Sequence, residues 1–281
     1  MANEHVPVEI HENVPTSART YGWMLGGKDN FEVDRRFTIA MLEQFHSGVD
    51  ITRENRRFLY RAVRHMVEEG GIRQFIDMGC GLPTDDNVHQ VAQRLAPESR
   101  VVYVDNDPIV LAHGRALLAT DQSTTMIHAD FRDQDAILAE PSVRRLIDFA
   151  EPVGMLFLSV GHHLTDDDDP SGVVGGIIGR AAPGSHLAFS QMVCTRDEQR
   201  AEMNAQFNAA GIPMYLRSTA EVDAILPDLP PVEPGLGNVK DWRPDPGQPD
   251  LAPVPAELRE YVGRSAMEPG IYEYGGLLRK P

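Results

Sequence analysis

Beyond Gly71 the chain alternates short, continuously apolar runs with stretches of helical periodicity, and it does so five times. The apolar runs are Gln74 to Met78, Val101 to Val104, Thr125 to Ala129, Val153 to Val160 and His186 to Val193. Helical spacing occupies Asn87 to Leu95, Pro108 to Leu118, Asp133 to Asp148, Pro170 to Ala181 and Arg196 to Ala210. A strand that is apolar at every position has to be covered on both faces, and strands joined by helical crossovers run parallel. The pattern predicts a doubly wound α/β domain whose ligand lies at the carboxyl ends of the strands. No repeat at solenoid periods competes with this organisation.

The alternation stops toward the end of the chain. Ser218 is placed to N-cap a short helix reaching Leu226. A strand-like run near Pro231 is then separated from Ile271 to Leu278 by the Pro-rich stretch Trp242 to Pro255, which no regular helix accommodates. Two strands without a helical crossover pair antiparallel, so the expected sheet is mostly parallel and ends on a reversed strand.

Before Gly71 the signal is helical. The segment to about Pro15 reads as a loose arm, and Ser17 to Leu42 as helix, loop, helix, broken at Gly26-Gly27-Lys28-Asp29-Asn30. From Thr52 to Glu69, Phe58, Leu59, Ala62, Val63, Met66 and Val67 share one face, and Gly70-Gly71 stops the helix. Arg53, Arg57, Arg61 and Arg64 form another face, read as solvated. Residues 1–70 are thus expected to be a helical extension, a lid, on a main domain of 71–281. The 281 residues, 42% of them hydrophobic, suffice for a large core.

Asp and Glu number 42 against 26 Lys and Arg, a net charge of −16, which argues against a non-specific nucleic-acid partner. The first twenty residues hold no apolar core of a leader, and no run approaches the roughly 18 apolar residues that span a bilayer. A cytoplasmic protein with no membrane partner is expected. Cys80 and Cys194 make neither a disulfide framework nor a zinc site and are expected to be reduced and packed.

The segment FIDMGCGLPTDDN, Phe75 to Asn87, follows the first strand and opens a helix. Gly79 and Gly81 allow a tight turn and a close approach of backbone to a ligand. Position 84, where a dinucleotide fingerprint has its third glycine, holds Thr84. Asp77 ends the strand two residues before Gly79; its carboxylate would repel a pyrophosphate but attract the α-ammonium and sulfonium of S-adenosylmethionine. Asp105 ends the next strand, where a carboxylate accepts hydrogen bonds from both ribose hydroxyls, and Asn106 follows it. After the third strand, Asp130 is placed to accept from the adenine amino group and Phe131 to pack on the ring. Taken singly, each acid also reads as a helix N-cap.

Phe75 to Thr84, Val101 to Pro108 and Asp130 together resemble the cofactor motifs of class I S-adenosylmethionine-dependent methyltransferases. TYGWMLGGKDNFEVDR, TRENRRFL at Thr52 to Leu59, GLPTDDNVH at Gly81 to His89, YVDNDP at Tyr103 to Pro108 and DDDDP at Asp166 to Pro170 extend the likeness to a bacterial S-adenosyl methyltransferase family of undefined substrate, over nearly the whole chain. The resemblance implies a Rossmann-like fold with a seven-stranded sheet, S-adenosylmethionine as cofactor and an N-terminal helical segment closing over the site. It assigns Asp77, Gly79 and Gly81 to the methionine portion, Asp105 and Asn106 to the ribose and adenine edge, and Asp130 with Phe131 to adenine. Cys80 stands where a small or hydroxyl residue is expected.

Two readings of the LGGKDN loop stand: Lys28 meets the cofactor carboxylate with Tyr21 and Asn30 nearby, or the loop is an ordinary turn between helices. After the fourth strand, Ser159 is a further cofactor contact, and His162 or His163 is a candidate to take a proton from the methyl acceptor. An adjacent pair projects in different directions, so at most one faces the methyl. The acids Asp166 to Asp169 read as a solvated N-cap before Pro170, with no metal expected. Trp23, Trp242 and Tyr272 read as core or lid packing, with an acceptor pocket as the other possibility. The acceptor is expected to be a small molecule. The alternatives are a non-catalytic protein that binds S-adenosylmethionine or S-adenosylhomocysteine, and an NAD-dependent oxidoreductase; the oligomeric state is open.

Overall fold

The computed structural model describes residues 11–117 and 122–281, so the first ten residues of the expected arm, and Leu118 at the end of one expected helix, lie outside them. Helices α1 (Ser17–Met24) and α2 (Glu32–Leu42) flank the glycine loop, and α3 (Gly48–Glu68) follows. Then come β1 (Gln74–Met78), α4 (Val88–Leu95), β2 (Arg100–Asp105), α5 (Pro108–Leu117), β3 (Thr124–His128), α6 (Gln134–Ala139), α7 (Pro141–Leu146) and β4 (Gly154–Leu158). The chain continues through α8 (Pro170–Arg180), β5 (His186–Cys194), α9 (Asp197–Ala209), α10 (Thr219–Ile225), β6 (Gly237–Asn238) and β7 (Ile271–Arg279).

These strands form one seven-stranded sheet in the order β3-β2-β1-β4-β5-β7-β6. The first five are parallel; β7 runs antiparallel to β5, and β6 antiparallel to β7. Alternate residues feed two cores. Phe75, Val101, Tyr103 and Leu156 meet α3 and α4 on one face, and Ile76, Val102, Met155 and Phe157 meet α7 and α8 on the other. That two-sided burial is why the strands read as unbroken apolar runs.

Three expectations need correction. The helix expected over Asp133 to Asp148 is two helices, because Pro141 cannot continue a helix and Glu140 before it is extended. The strand expected near Pro231 is a single bridge to Leu278, and the paired strand lies later, at Gly237–Asn238. Pro230, Pro231 and Pro234 carry no N–H for a continuous ladder.

The arginine face of α3 is not free in water. Arg61 is 6% exposed and donates to the carbonyls of Val239 and Trp242, both at 2.7 Å. Arg53 donates to the Ala252 carbonyl at 2.9 Å, and Arg64 pairs with Asp245. A proline-rich strand of chain is short of donors, and these guanidiniums supply them, strapping residues 239–255 along the helix. Trp242, 2% exposed, seals the strap edge-on against Phe58. Trp23 packs with Leu42, Val49 and Leu258, and Tyr272 against the second core. No described helix is long and apolar enough to cross a membrane.

Candidate cofactor and acceptor site

The turn after β1 is shaped by two residues with left-handed backbone, Gly79 (φ 68°) and Gly81 (φ 66°). The Gly79 and Cys80 N–H groups donate to the Val104 carbonyl, which pins the turn to the end of β2. A Cβ on Gly79 would stand 2.6 Å from Val160 Cγ1, so glycine is needed for space as well as for φ. Asp105 Oδ2 accepts from Gly81 N at 2.8 Å and its Oδ1 from Asp107 N at 2.9 Å. Oδ2 also takes a long contact from Cys80 Sγ at 3.9 Å, and Oδ1 keeps a lone pair for a further donor.

These groups line a cavity of about 510 Å³ at the carboxyl ends of β1, β2 and β4, bounded also by α1, α3 and residues 211–213. Asp77 faces it from β1. Burial pushes its carboxyl up to about 7, against the pull of Arg56 and with Asp105 adding to the rise. Burial also raises Asp105, opposed by its N–H donors. A cation entering this cavity restores to both acids the counter-charge that water no longer provides.

The cover comes from the N-terminus. Residues 14–19 line the cavity, and Arg19, 1% exposed, ties them down by donating to the carbonyls of His11 and Val14 and to Asp34. Asp34 also accepts from Thr16 N and Phe31 N, so a single buried ion pair joins the arm to the start of α2. Tyr21 lines the cavity from α1; its hydroxyl accepts from Asn55 Nδ2 at 2.8 Å and donates to the Thr52 carbonyl.

Of the residues proposed from sequence, Tyr21, Asp77, Gly79, Gly81, Asp105, Asn106, Phe131, Ser159 and His163 line this cavity. Asp130, Lys28, Asn30 and His162 do not. Asp130 is held by Arg132, with Nε to Oδ1 at 2.9 Å and Nη2 to Oδ2 at 2.7 Å, and it is Arg132 that reaches the cavity. Lys28 is exposed. Asn30 closes its own turn, donating to the Gly27 carbonyl and accepting from Arg35. Gly26 and Gly27 border a separate cavity of about 370 Å³, where a Cβ on Gly26 would strike the Pro253 carbonyl at 2.8 Å. The glycine loop thus makes room for the strap.

The two histidines part ways, as adjacent residues should. His162 is 4% exposed, and its Nδ1 accepts from Met192 N; burial, then the neighbouring His163 and Arg217, hold its pKa well below the usual range. His163 donates from Nδ1 to the Pro213 carbonyl, which leaves Nε2 to accept from Ser17 Oγ at 3.0 Å. Burial lowers its pKa, and the neutral ring ties the arm to the 211–213 segment. The acids after it are engaged: Asp166 with Arg217 and Tyr215, Asp168 with Thr165 and Arg132, and Asp169 capping α8. Among the described residues, no cluster of His, Cys, Asp and Glu is arranged to hold a metal ion.

Four residues unassigned from the sequence belong to the site. Asn55 and Arg56 line the cavity from α3, and Arg19 and Arg132 flank it. Asn55 and Arg56 precede Leu59, Ala62 and Val63 at helical spacing, so their place on the inward face was available as a signal. Arg56 Nε is buried without a partner, while Nη2 donates to Asp85 O and Asn87 Oδ1. A guanidinium with one unpartnered N–H beside two raised acids suits a ligand carrying a carboxylate next to positive charge. The acids, the glycine cradle and this guanidinium together fit S-adenosylmethionine, and Asp77 beside the turn disfavours a pyrophosphate.

Comparison with known proteins gives the same class. The chain belongs to the S-adenosyl methyltransferase family, whose model matches residues 3–281. It is similar to a candidate methyltransferase from Thermobifida fusca YX, at 38% identity and TM-score 0.82 over 95% of this chain and 96% of that one. It is similar also to a DUF574 family protein from Streptomyces avermitilis MA-4680, at 35% identity and TM-score 0.82 over 95% and 98%. No functionally curated protein matches it. The fold is the Rossmann-like one of class I methyltransferases, the enzyme is a methyltransferase and S-adenosylmethionine is its cofactor.

Proposed function

We propose that the chain methylates a small-molecule acceptor held at the β4 end of the cavity, between Ser159, His163 and the N-terminal arm. The carrying observation is the asymmetry of that one cavity: its β1–β2 end presents Asp77, Asp105 and the glycine turn, while its β4 end is walled by the arm and residues 211–213. A walled end with polar groups suits transfer chemistry, because bound water would compete with the acceptor.

In this reading Asp77, Gly79, Gly81 and Arg56 hold the methionine portion, with Arg56 replacing Lys28 at the carboxylate. Asp105 and Asn106 hold the ribose, and Phe131 packs on adenine with Tyr21 and Ser159 beside the methyl. Asp130 serves by orienting Arg132. When bound, the cofactor supplies an electrophilic methyl group on a sulfonium. The protein aligns the acceptor atom with the leaving sulfur at about 3 to 3.5 Å from the methyl carbon. His163 holds the arm closed through Ser17. Residues 1–70 act as the lid on the domain of 71–281, although α3 shares its core with the sheet. The net charge of −16 and the two free thiols support a cytoplasmic role without nucleic-acid or membrane partners.

Calorimetry with S-adenosylmethionine, S-adenosylhomocysteine and NAD is the test. Both sulfur nucleosides should bind and NAD should not; NAD affinity without nucleoside binding overturns the reading. Release of S-adenosylhomocysteine across a panel of small acceptors then identifies the substrate.

A further inference from the structure

The floor of the acceptor end conceals a carboxyl. Glu273, on the last strand, is 2% exposed, and its Oε1 accepts from Ser159 Oγ at 2.6 Å. Its Oε2 is buried with no partner. In the β5–β7 register Glu273 lies opposite Met192 and Gly275 opposite Ser190, so Glu273 and Ser190 share a face. Ser190 Oγ donates to Asn55 Oδ1 at 2.6 Å, and Asn55 Nδ2 donates to the Tyr21 hydroxyl. The carboxyl thus anchors a buried polar network whose members Ser159, Asn55 and Tyr21 line the cavity.

Burying an acid with one oxygen unpartnered is costly, and nothing in the fold requires it. The surrounding strand residues Leu277, Ile271 and Ala188 are apolar. Ser159 bears a cost of its own, held at φ 58°, outside the range that serine ordinarily occupies. That backbone aims its hydroxyl at Glu273 while keeping the residue on the cavity wall. Burial pushes the Glu273 carboxyl up to about 8, opposed by the Ser159 hydrogen bond, which puts it near the range where a proton acceptor works best.

We propose that Glu273, acting through Ser159 Oγ, receives the proton released by the methyl acceptor, so that the acceptor is an O–H or N–H nucleophile. The inference rests on the cofactor reading above. The acceptor's lone pair forms the new bond to the methyl carbon as the S–C bond breaks and its pair stays on sulfur. The acceptor's proton passes to Ser159 Oγ while the serine's own proton passes to Glu273 Oε1. His163 is not free for this step, because its Nε2 is engaged by Ser17. Ser159 meets the acceptor and relays the proton; Glu273, which touches neither acceptor nor cofactor, is the positioning residue that takes it up.

Sinefungin tests this without knowledge of the acceptor, since it carries C–NH3+ where S-adenosylmethionine carries S–CH3. Its ammonium should donate to Ser159 with Glu273 as the counter-charge. Titrating native protein, Glu273→Gln and Ser159→Gly with sinefungin and S-adenosylhomocysteine gives an affinity ratio in which shared nucleoside contacts cancel. Native protein should prefer sinefungin by about tenfold or more, and both variants should lower that ratio by about tenfold. Asp77 is present in all three proteins, so its charge does not produce the difference. A native ratio near one, or a preference undiminished in the variants, overturns the proposal. Failure of native protein to bind either nucleoside overturns the cofactor reading instead. Should Glu273→Gln not fold, Ser159→Gly decides alone, since glycine accepts the φ of that position.

Discussion

At the β1–β2 end of the cavity, Asp77, Gly79, Gly81 and Asp105 come from two neighbouring strands and the turn between strand and helix, and backbone N–H groups fix them in place. At the β4 end, Ser17, Asn55, Ser159, His163, Pro213 and Glu273 come from five distant stretches of chain, tied together by side chains. The first end is a local device that any sequence with the right turn can build. The second exists only when the arm, α3, the sheet and its last strand are all assembled. A site made this way can keep one ligand fixed while the other end varies.

The comparison breaks most visibly at Gly79. Gly79→Val should lower S-adenosylmethionine affinity more than about a hundredfold by calorimetry, because a Cβ meets Val160 at 2.6 Å and the backbone holds φ 68°. Asp105→Ala comes next. It removes the proposed ribose acceptor and the partner of two N–H groups, for an expected loss of about 2 to 3 kcal/mol, or about thirty- to a hundred-and-fiftyfold.

Asp77 sharpens the contrast through pH. Its folded carboxyl is raised to about 7, so below that range it is neutral and attracts a cation weakly; S-adenosylmethionine affinity should rise as pH climbs through 7. For the ligand-free fold the sign is opposite. A raised acid contributes stability that is full below its unfolded pKa and is lost as pH rises through the folded value. Asp77→Asn should therefore melt a few degrees higher than native protein at pH about 8, match it at acid pH, and bind the cofactor about tenfold more weakly. The smallest effect belongs to Lys28→Ala, which should leave affinity within about twofold, since that side chain is exposed and away from the cavity. A large loss there would return the glycine loop to the cofactor.

The five parallel strands were legible because burial on both faces leaves an unbroken apolar run, and the turn at Gly79 because its chemistry is local. Pro141 was a visible break in one expected helix, yet helical periodicity on both sides of it masked the boundary. Arg61 misled because a charged stripe ordinarily faces water; its partners are carbonyls more than a hundred residues away in the strap. Asp130 misled for a nearer reason, since Arg132 two residues on competes for the same carboxylate. Glu273 left a trace in the alternation of Ile271, Glu273, Gly275 and Leu277, but periodicity alone cannot say that an inward acid meets a serine from another strand.

By itself, the sequence determined the layer order, the hinge of the glycine turn and the sign of charge offered to a nucleoside, because each depends on residues close enough along the chain to read as a pattern. Only the tertiary structure decided which histidine reaches the cavity, which arginines are buried and where the hidden carboxyl lies. Those outcomes depend on which distant donors and acceptors burial forces together, and a buried polar group takes whatever partner the packing brings within reach.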